Sequence, residues 1–244
     1  MTSPVLARDL PDGSRRYVHP VTGEEVPSVT TILSVIAKPA LTGWAARTAA
    51  AYAVSNWDQL AAMRVSERTE LIRHAHDREA QAAARTGDAV HAMIEAWAAG
   101  RPYPELPKQA GGFASQYAAF LLEARPRFLE NEVTLWSRAD RYAGTCDWIA
   151  EIGGTVILGD TKTGRRVYPE AALQVSALAH AEVIVRADGT EEEMPVIGGL
   201  AVLHVRPRSW QLITVSRETE NVAAFLAARD IWGWQHEVAP AVYQ

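Results

Sequence analysis

The feature that most constrains the fold is a glycine pair, Gly153-Gly154, which lies between two segments with strand-like composition. These segments cover Tyr142–Ile152 and Thr155–Lys162. A two-residue glycine connection predicts a tight hairpin, in which the second strand folds back along the first. Counting outward from the turn places Asp147 level with Asp160.

The segments around this hairpin predict helices before it and a mixture of strands and helices after it. On the N-terminal side we expect a small hairpin over residues 15–27, a helix that Ser28 caps and that runs through Ala37, and helices over residues 41–56, 66–99 with a break at Gly87, and 113–124. Strands are expected over residues 132–136, 199–205 and 210–215, helices over 169–185 and 218–234, and an acidic loop over 188–195.

This order of elements predicts an α/β (α+β) fold with a central mixed β-sheet flanked by helices. We expect a single domain over residues 1–244, with a mainly helical portion over 1–126 and the sheet core over 127–244. Hydrophobic residues make up 48% of the chain and charged residues 22%, which is typical of a folded globular protein.

Composition also limits the kinds of function. Cys146 is the single cysteine, so an internal disulfide and a multi-cysteine zinc or iron–sulfur site are excluded. Residues 1–12 lack the pattern of a secretory signal, and we find no apolar stretch of about 18 residues. We therefore expect a cytoplasmic protein with no membrane span. The net charge of −5 does not by itself favour nucleic-acid binding, which would need a locally basic surface.

The chemistry-bearing residues lie on the predicted hairpin. Side chains alternate along a strand, so Asp160 and Lys162 project from one face, roughly 7 Å apart. Asp160 follows the apolar run Val156–Leu158, and a carboxylate on a buried strand is costly unless it is paired or used. An Asp-x-Lys triplet is also common at solvated strand ends, and the second aspartate, Asp147, is what favours a functional site here.

Two aspartates with a nearby lysine are suited to hydrolysis of a phosphodiester. Magnesium takes few protein ligands, so Asp147, Asp160 and the carbonyl of Thr161 would suffice to hold it. Lys162 would orient or deprotonate the attacking water and counter the phosphate charge. Glu132, on the preceding strand, is a weaker candidate for a metal or supporting carboxylate. Arg165 and Arg166 follow the lysine and would grip backbone phosphates, although a solvated loop pair is an equal alternative.

The same segment resembles the PD-(D/E)XK nuclease superfamily, in its RecB-like and phage exonuclease branch. That branch shows Gly-x-x-Asp, a hairpin, an apolar-Asp-x-Lys-Thr-Gly segment, a helix with an early Gln, and an upstream Gly-x-x-x-His. The matching residues are Gly87, His91, Gly144, Asp147, Asp160, Lys162, Thr163, Gly164 and Gln174. Residues 26–33 also resemble the opening of phage-encoded members. Where the branch has a Tyr four residues after the Gln, this chain has Leu178.

The resemblance implies a restriction-endonuclease-like core, with His91 as a metal ligand and Gln174 positioning the lysine or a phosphate. It also implies Mg²⁺ or Mn²⁺ as cofactor, and an imidazole ligand favours manganese beside magnesium. The implied activity is a DNA exonuclease that acts on duplex ends in phage or prophage recombination or replication. A homo-oligomer and a single-strand annealing recombinase as partner are further expectations. The alternatives are a DNA endonuclease, a hydrolase of another phosphoester, and an inactive nucleic-acid-binding protein of the same fold.

Overall fold

The structure is a computed structural model that describes residues 6–98, 100–102 and 105–242. The chain divides into two compact units: Ala37–Asp88, and Met1–Ile36 together with Ala89–Gln244. None of the described helices has the length and apolar character that a membrane span requires.

The larger unit begins with a three-stranded antiparallel sheet, made of β1 (Ala7–Asp9), β2 (Arg15–Val18) and β3 (Glu25–Pro27). The last two strands form the predicted hairpin. A short helix, α1 (Val29–Leu33), follows, and the hydroxyl of Ser28 accepts a hydrogen bond from the backbone N–H of Thr31, as a helix N-cap does. The helix ends at Leu33 rather than at the predicted Ala37. The β-branched residues at its start lower its helix propensity. Its last carbonyl groups accept hydrogen bonds in short-range turns that continue through Ile36.

The smaller unit is helical. It contains α2 (Pro39–Ser55), α3 (Trp57–Ala61), α4 (Val65–Arg73) and the first part of α5 (Ala75–Ala98). The break in the long helical pattern falls at His74, so the predicted break at Gly87 is wrong. At the junction His74 Nδ1 lies 2.6 Å from Asp77 Oδ2 in the first turn of α5. Gly87 costs the helix only about 1 kcal/mol relative to alanine, which a helix of this length tolerates.

The core of the larger unit is a seven-stranded sheet with the order β10-β9-β6-β5-β4-β7-β8. Neighbouring strands are antiparallel except β6 and β9, which are parallel, so the predicted mixed sheet is confirmed. The strands are β4 (Arg127–Ser137), β5 (Tyr142–Ile152), β6 (Thr155–Lys162), β7 (Val183–Val185), β8 (Glu191–Glu193), β9 (Gly199–Arg206) and β10 (Ser209–Val215).

Helices cover both faces of this sheet. Strand β9 shows the layering, because Leu200 and Val202 join one buried cluster while Ala201 and Leu203 join the other. The first cluster contains buried hydrophobic residues of α1, α7 (Glu170–His180) and α8 (Glu218–Gly233). The second contains buried hydrophobic residues of α6 (Gly111–Ala124) and of the C-terminal part of α5. The helix-flanked sheet predicted from the sequence is therefore present.

Two predictions after β6 need correction. The helix predicted over residues 169–185 ends at His180, and Val183–Val185 forms β7 instead, because three buried β-branched residues complete the sheet beside β4. The predicted acidic loop contains the edge strand β8, where Glu191–Glu193 pairs with β7. The residues of this strand are exposed, and charged residues are common on sheet edges that avoid further pairing.

Candidate metal centre

Three acidic residues form one row across the middle of the seven-stranded sheet. The β4/β5 pairs on either side place Glu132 opposite Asp147. Continuing the β5/β6 register by one residue places Asp147 beside Asp160, as the count from the glycine turn predicts. Like charges directly opposed on neighbouring strands destabilise a sheet, and a nearby cation or the uptake of a proton would relieve that repulsion.

The regular ladder is interrupted along this row. Glu132 has a φ of 49°, a left-handed conformation that costs a non-glycine residue about 1–2 kcal/mol. The Asp147 side chain takes the place of a backbone carbonyl in the ladder, since its Oδ2 accepts a hydrogen bond of 2.6 Å from the backbone N–H of Thr161. The regular backbone pairing of β4 and β5 is therefore altered at Glu132 and Asp147.

One histidine lies close to two of these carboxylates. His91, Glu132 and Asp147 each offer one ligand atom, and the three atoms lie within 4.8 Å of one another. Nδ1 of His91 is 3.7 Å from Asp147 Oδ2. One imidazole nitrogen and two carboxylate oxygens at this spacing could hold a metal ion. The structure therefore brings the weaker candidate Glu132 into the same group as His91 and Asp147.

Asp160 faces a second set of partners. Its Oδ1 accepts hydrogen bonds from Lys162 Nζ at 3.0 Å and from Gln174 Nε2 at 3.1 Å, and Lys162 Nζ also donates to Gln174 Oε1 at 3.2 Å. Lys162 Nζ lies 2.8 Å from Asp160 Oδ2, yet that buried oxygen receives no well-directed hydrogen bond from any residue that the structure describes. One oxygen of a carboxylate that is 2% exposed thus keeps unused capacity to accept a ligand bond.

The electrostatics of the site follow from burial and from the crowding of like charges. Burial, chiefly, and the charge of Asp147 raise the pKa of Asp160 to about 6, against the opposing effect of Lys162. Burial lowers the pKa of Lys162, but the charges of Asp160 and Asp147 outweigh it, so the net pKa is raised. Desolvation and Asp147 likewise raise the pKa of Glu132. The Glu132 side chain is exposed, which limits the size of that shift but not its sign.

A tryptophan and a glycine hold β6 in place beneath the site. The ring of Trp148 occupies the space where a Cβ on Gly159 would lie. Its Nε1 donates a 3.2 Å hydrogen bond to Thr161 Oγ1, so the ring fixes the residues on both sides of Asp160. Sequence reasoning missed this pair, although a glycine within a buried strand is a signal of close approach by another group.

The remaining predicted residues lie near the site but contribute differently. Thr161 is buried beside Asp147, and its carbonyl stays a predicted ligand. Arg165 and Arg166 are exposed on the loop after β6 and have no hydrogen bond or ion pair to any residue that the structure describes. Leu178 is buried in the core and supplies no hydroxyl at the position where the branch has tyrosine.

Sequence reasoning also missed Tyr117 on α6. Its side chain is 1% exposed, and its hydroxyl has no hydrogen-bond partner among the described residues. Burial, chiefly, and the charge of Asp147 raise its pKa. Helical spacing gave no signal for this residue, because a tyrosine on an apolar helix face is typical of any core.

Comparisons with known proteins leave the family open. No protein-family model matches the chain, and no curated protein sequence matches it. Ten chains of solved structures match, among them one titled "Crystal structure of SSO0001", with 12% sequence identity over 86% of this chain and 83% of that chain. The TM-score of that match is 0.32, a level at which the similarity says nothing about family or function.

Proposed function

We propose that this protein is a divalent-metal-dependent deoxyribonuclease of the PD-(D/E)XK type that removes nucleotides from duplex ends. The observation that carries the proposal is the row Glu132–Asp147–Asp160, with His91 at one end and the Lys162 ammonium paired to Asp160 at the other. Carboxylates that can hold a divalent cation, with a lysine nearby to counter phosphate charge, are suited to metal-assisted phosphodiester hydrolysis.

The residues present fit a divalent cation. His91, Glu132 and Asp147 would hold it, with the free oxygen of Asp160 and the carbonyl of Thr161 as further ligands. Mg²⁺ or Mn²⁺, when bound, supplies Lewis acidity and a water of lowered pKa. The site retains His91, and an imidazole ligand favours Mn²⁺ beside Mg²⁺.

Lys162 has the electrostatic role in this proposal. Its raised pKa keeps the ammonium protonated at neutral pH. A protonated amine cannot remove a proton from water, so Lys162 neutralises phosphate charge and orients the attacking water. Of the two roles expected for the lysine from the sequence, the ion pair with Asp160 favours this one.

Gln174 keeps the ammonium in position. Its amide donates to Asp160 and accepts from Lys162, so it closes a three-membered hydrogen-bonded ring. Its replacement by leucine would free the lysine to rotate away from Asp160. We expect such a variant to retain metal binding and to lose most of kcat.

The test is the digestion of linear and circular duplex DNA with Mg²⁺ or Mn²⁺. Loss of the linear substrate alone supports an exonuclease, whereas nicking of circles replaces it with an endonuclease. Lys162→Ala and Asp160→Asn are each expected to abolish cutting while the protein stays folded.

Lys108→Ala and Asp230→Asn are matched controls, because both side chains are exposed and neither lies among the site residues. If a site variant cuts at the parental rate, the assignment of the site is wrong. If the parent binds DNA but cuts neither substrate, the result favours an inactive nucleic-acid-binding protein.

A further inference from the structure

The loop that follows β6 carries an unusual set of exposed groups. Arg165 and Arg166 are exposed and have no partner among the described residues, and Tyr168 is 47% exposed two positions later. Two arginines without protein partners are free to donate to an external anion. The loop begins one residue after Lys162, so its backbone continues directly from the strand that carries Asp160 and Lys162.

A buried histidine anchors this loop. His204 on β9 is 5% exposed, and its Nε2 lies 2.8 Å from the carbonyl oxygen of Gly164. A carbonyl only accepts hydrogen bonds, so the ring must carry its proton on Nε2 and donate it. A buried imidazole is costly unless it is hydrogen-bonded, so this contact is what makes the position acceptable to histidine.

The register of the sheet places His204 beside the proposed catalytic residues. In the parallel β6/β9 ladder, Asp160 pairs with Val202 and Lys162 with His204. Alternation along each strand then puts the His204 side chain on the same face as Asp160 and Lys162. The histidine therefore links the strand end that carries the lysine to the backbone of the loop that carries the arginines.

We propose that His204 is a positioning residue that fixes Gly164, so that Arg165 and Arg166 grip the phosphates of a nucleic-acid strand beside the acidic row. This inference rests on the proposed nuclease function and names the part of the substrate that the loop recognises. The grip is on the backbone, so it acts on binding rather than on the bond-breaking step and is independent of base sequence.

The experiment compares His204→Leu with His204→Gln, whose amide nitrogen reaches about as far as Nε2. We expect KM for linear duplex DNA to rise roughly fivefold to tenfold in the leucine variant, as for the loss of one hydrogen bond, with little change in kcat. The glutamine variant should recover most of the loss. His236→Leu is the control for losing a histidine–carbonyl contact away from the site, because His236 Nδ1 lies 2.7 Å from the carbonyl oxygen of Trp232 near the end of α8.

A double-mutant cycle separates positioning from general destabilisation. Arg165→Ala with Arg166→Ala should weaken DNA binding and reduce the salt dependence of log K by about 1.8 for duplex DNA, since each phosphate contact contributes about 0.9. In that background His204→Leu should have no further effect on KM, because the groups that it positions are gone. If the leucine variant does not fold, His204→Asn, which is too short to reach Gly164, takes its place in the cycle.

The outcomes distinguish the two proposals. A parent protein that does not cut DNA overturns the proposed function. A parent that cuts, with a His204 variant that is indistinguishable from it or whose effect adds fully to that of the arginine changes, overturns the positioning role alone.

Discussion

Asp160 should make the metal-free protein less stable as pH rises, and Asp160→Asn should remove that dependence. The carboxyl is 2% exposed, and burial together with Asp147 raises its pKa from 3.8 to about 6. Between these values the folded state holds a proton that the unfolded chain has released. The stabilisation is therefore complete below pH 3.8 and is lost as pH rises through about 6.

The size of the effect follows from the shift. A difference of about 2.2 pKa units corresponds to roughly 3 kcal/mol at about 1.4 kcal/mol per unit, and about 2 kcal/mol of it falls between pH 4.5 and pH 8. Asparagine imitates the protonated acid and does not titrate. The difference in unfolding free energy between the variant and the parent should therefore grow by about 2 kcal/mol over that range, in favour of the variant.

The assay is urea unfolding in EDTA at several pH values, for the parent, Asp160→Asn and the control Asp230→Asn. Taking the difference between pH values cancels the constant contribution from the lost hydrogen bonds to Lys162 and Gln174. Added Mn²⁺ should shift the difference towards the parent, since the asparagine variant lacks one of the proposed ligands. If the difference in unfolding free energy between parent and variant does not change with pH, Asp160 is not a buried carboxyl group with a raised pKa.

Metal binding and the packing of the strand beneath the site should each change the stability of the protein measurably. Mn²⁺ at about 100 times its Kd should stabilise the parent by about 2.7 kcal/mol, measured by thermal unfolding, and Asp147→Asn should abolish this shift. Glu132→Gln should weaken Mn²⁺ binding, measured by calorimetry. It should also reduce the increase in Mn²⁺ affinity with pH, because the raised pKa of Glu132 means that a proton must leave before the metal binds. An unchanged affinity would exclude Glu132 as a ligand. Gly159→Ala should destabilise the protein by about 1–3 kcal/mol or more and reduce cutting, because its Cβ meets the Trp148 ring. Gly111→Ala, which meets no atom within 4 Å, should be close to neutral in the same measurement.

The hairpin of β5 and β6 could be predicted from the sequence because short-range rules determine it. The Gly153-Gly154 turn fixes the alignment of the two strands, and the two-residue period fixes which side chains share a face. These two rules are enough to place Asp147 beside Asp160 and to put Lys162 on the same face as Asp160. Both rules act within about 20 residues of chain, so no tertiary information was needed.

The parts that could not be predicted depend on partners distant in sequence. Val183–Val185 has a composition that suits either a helix end or a strand, and pairing with β4 decides the outcome. The position of Glu132 depends on the β4/β5 register and on a left-handed φ that no propensity indicates for glutamate. His204 looked like any polar residue in a strand, since its partner Gly164 lies 40 residues earlier.

The net charge of −5 is an average over charges of opposite sign that the structure separates over a short distance. The row Glu132–Asp147–Asp160 concentrates negative charge, while Arg165 and Arg166 on the adjoining loop have no ion pair to any residue that the structure describes. Under the proposed function, the acidic row would attract a divalent cation and the arginines would attract a phosphate, which are the two charged parts of a phosphodiester with its metal ion.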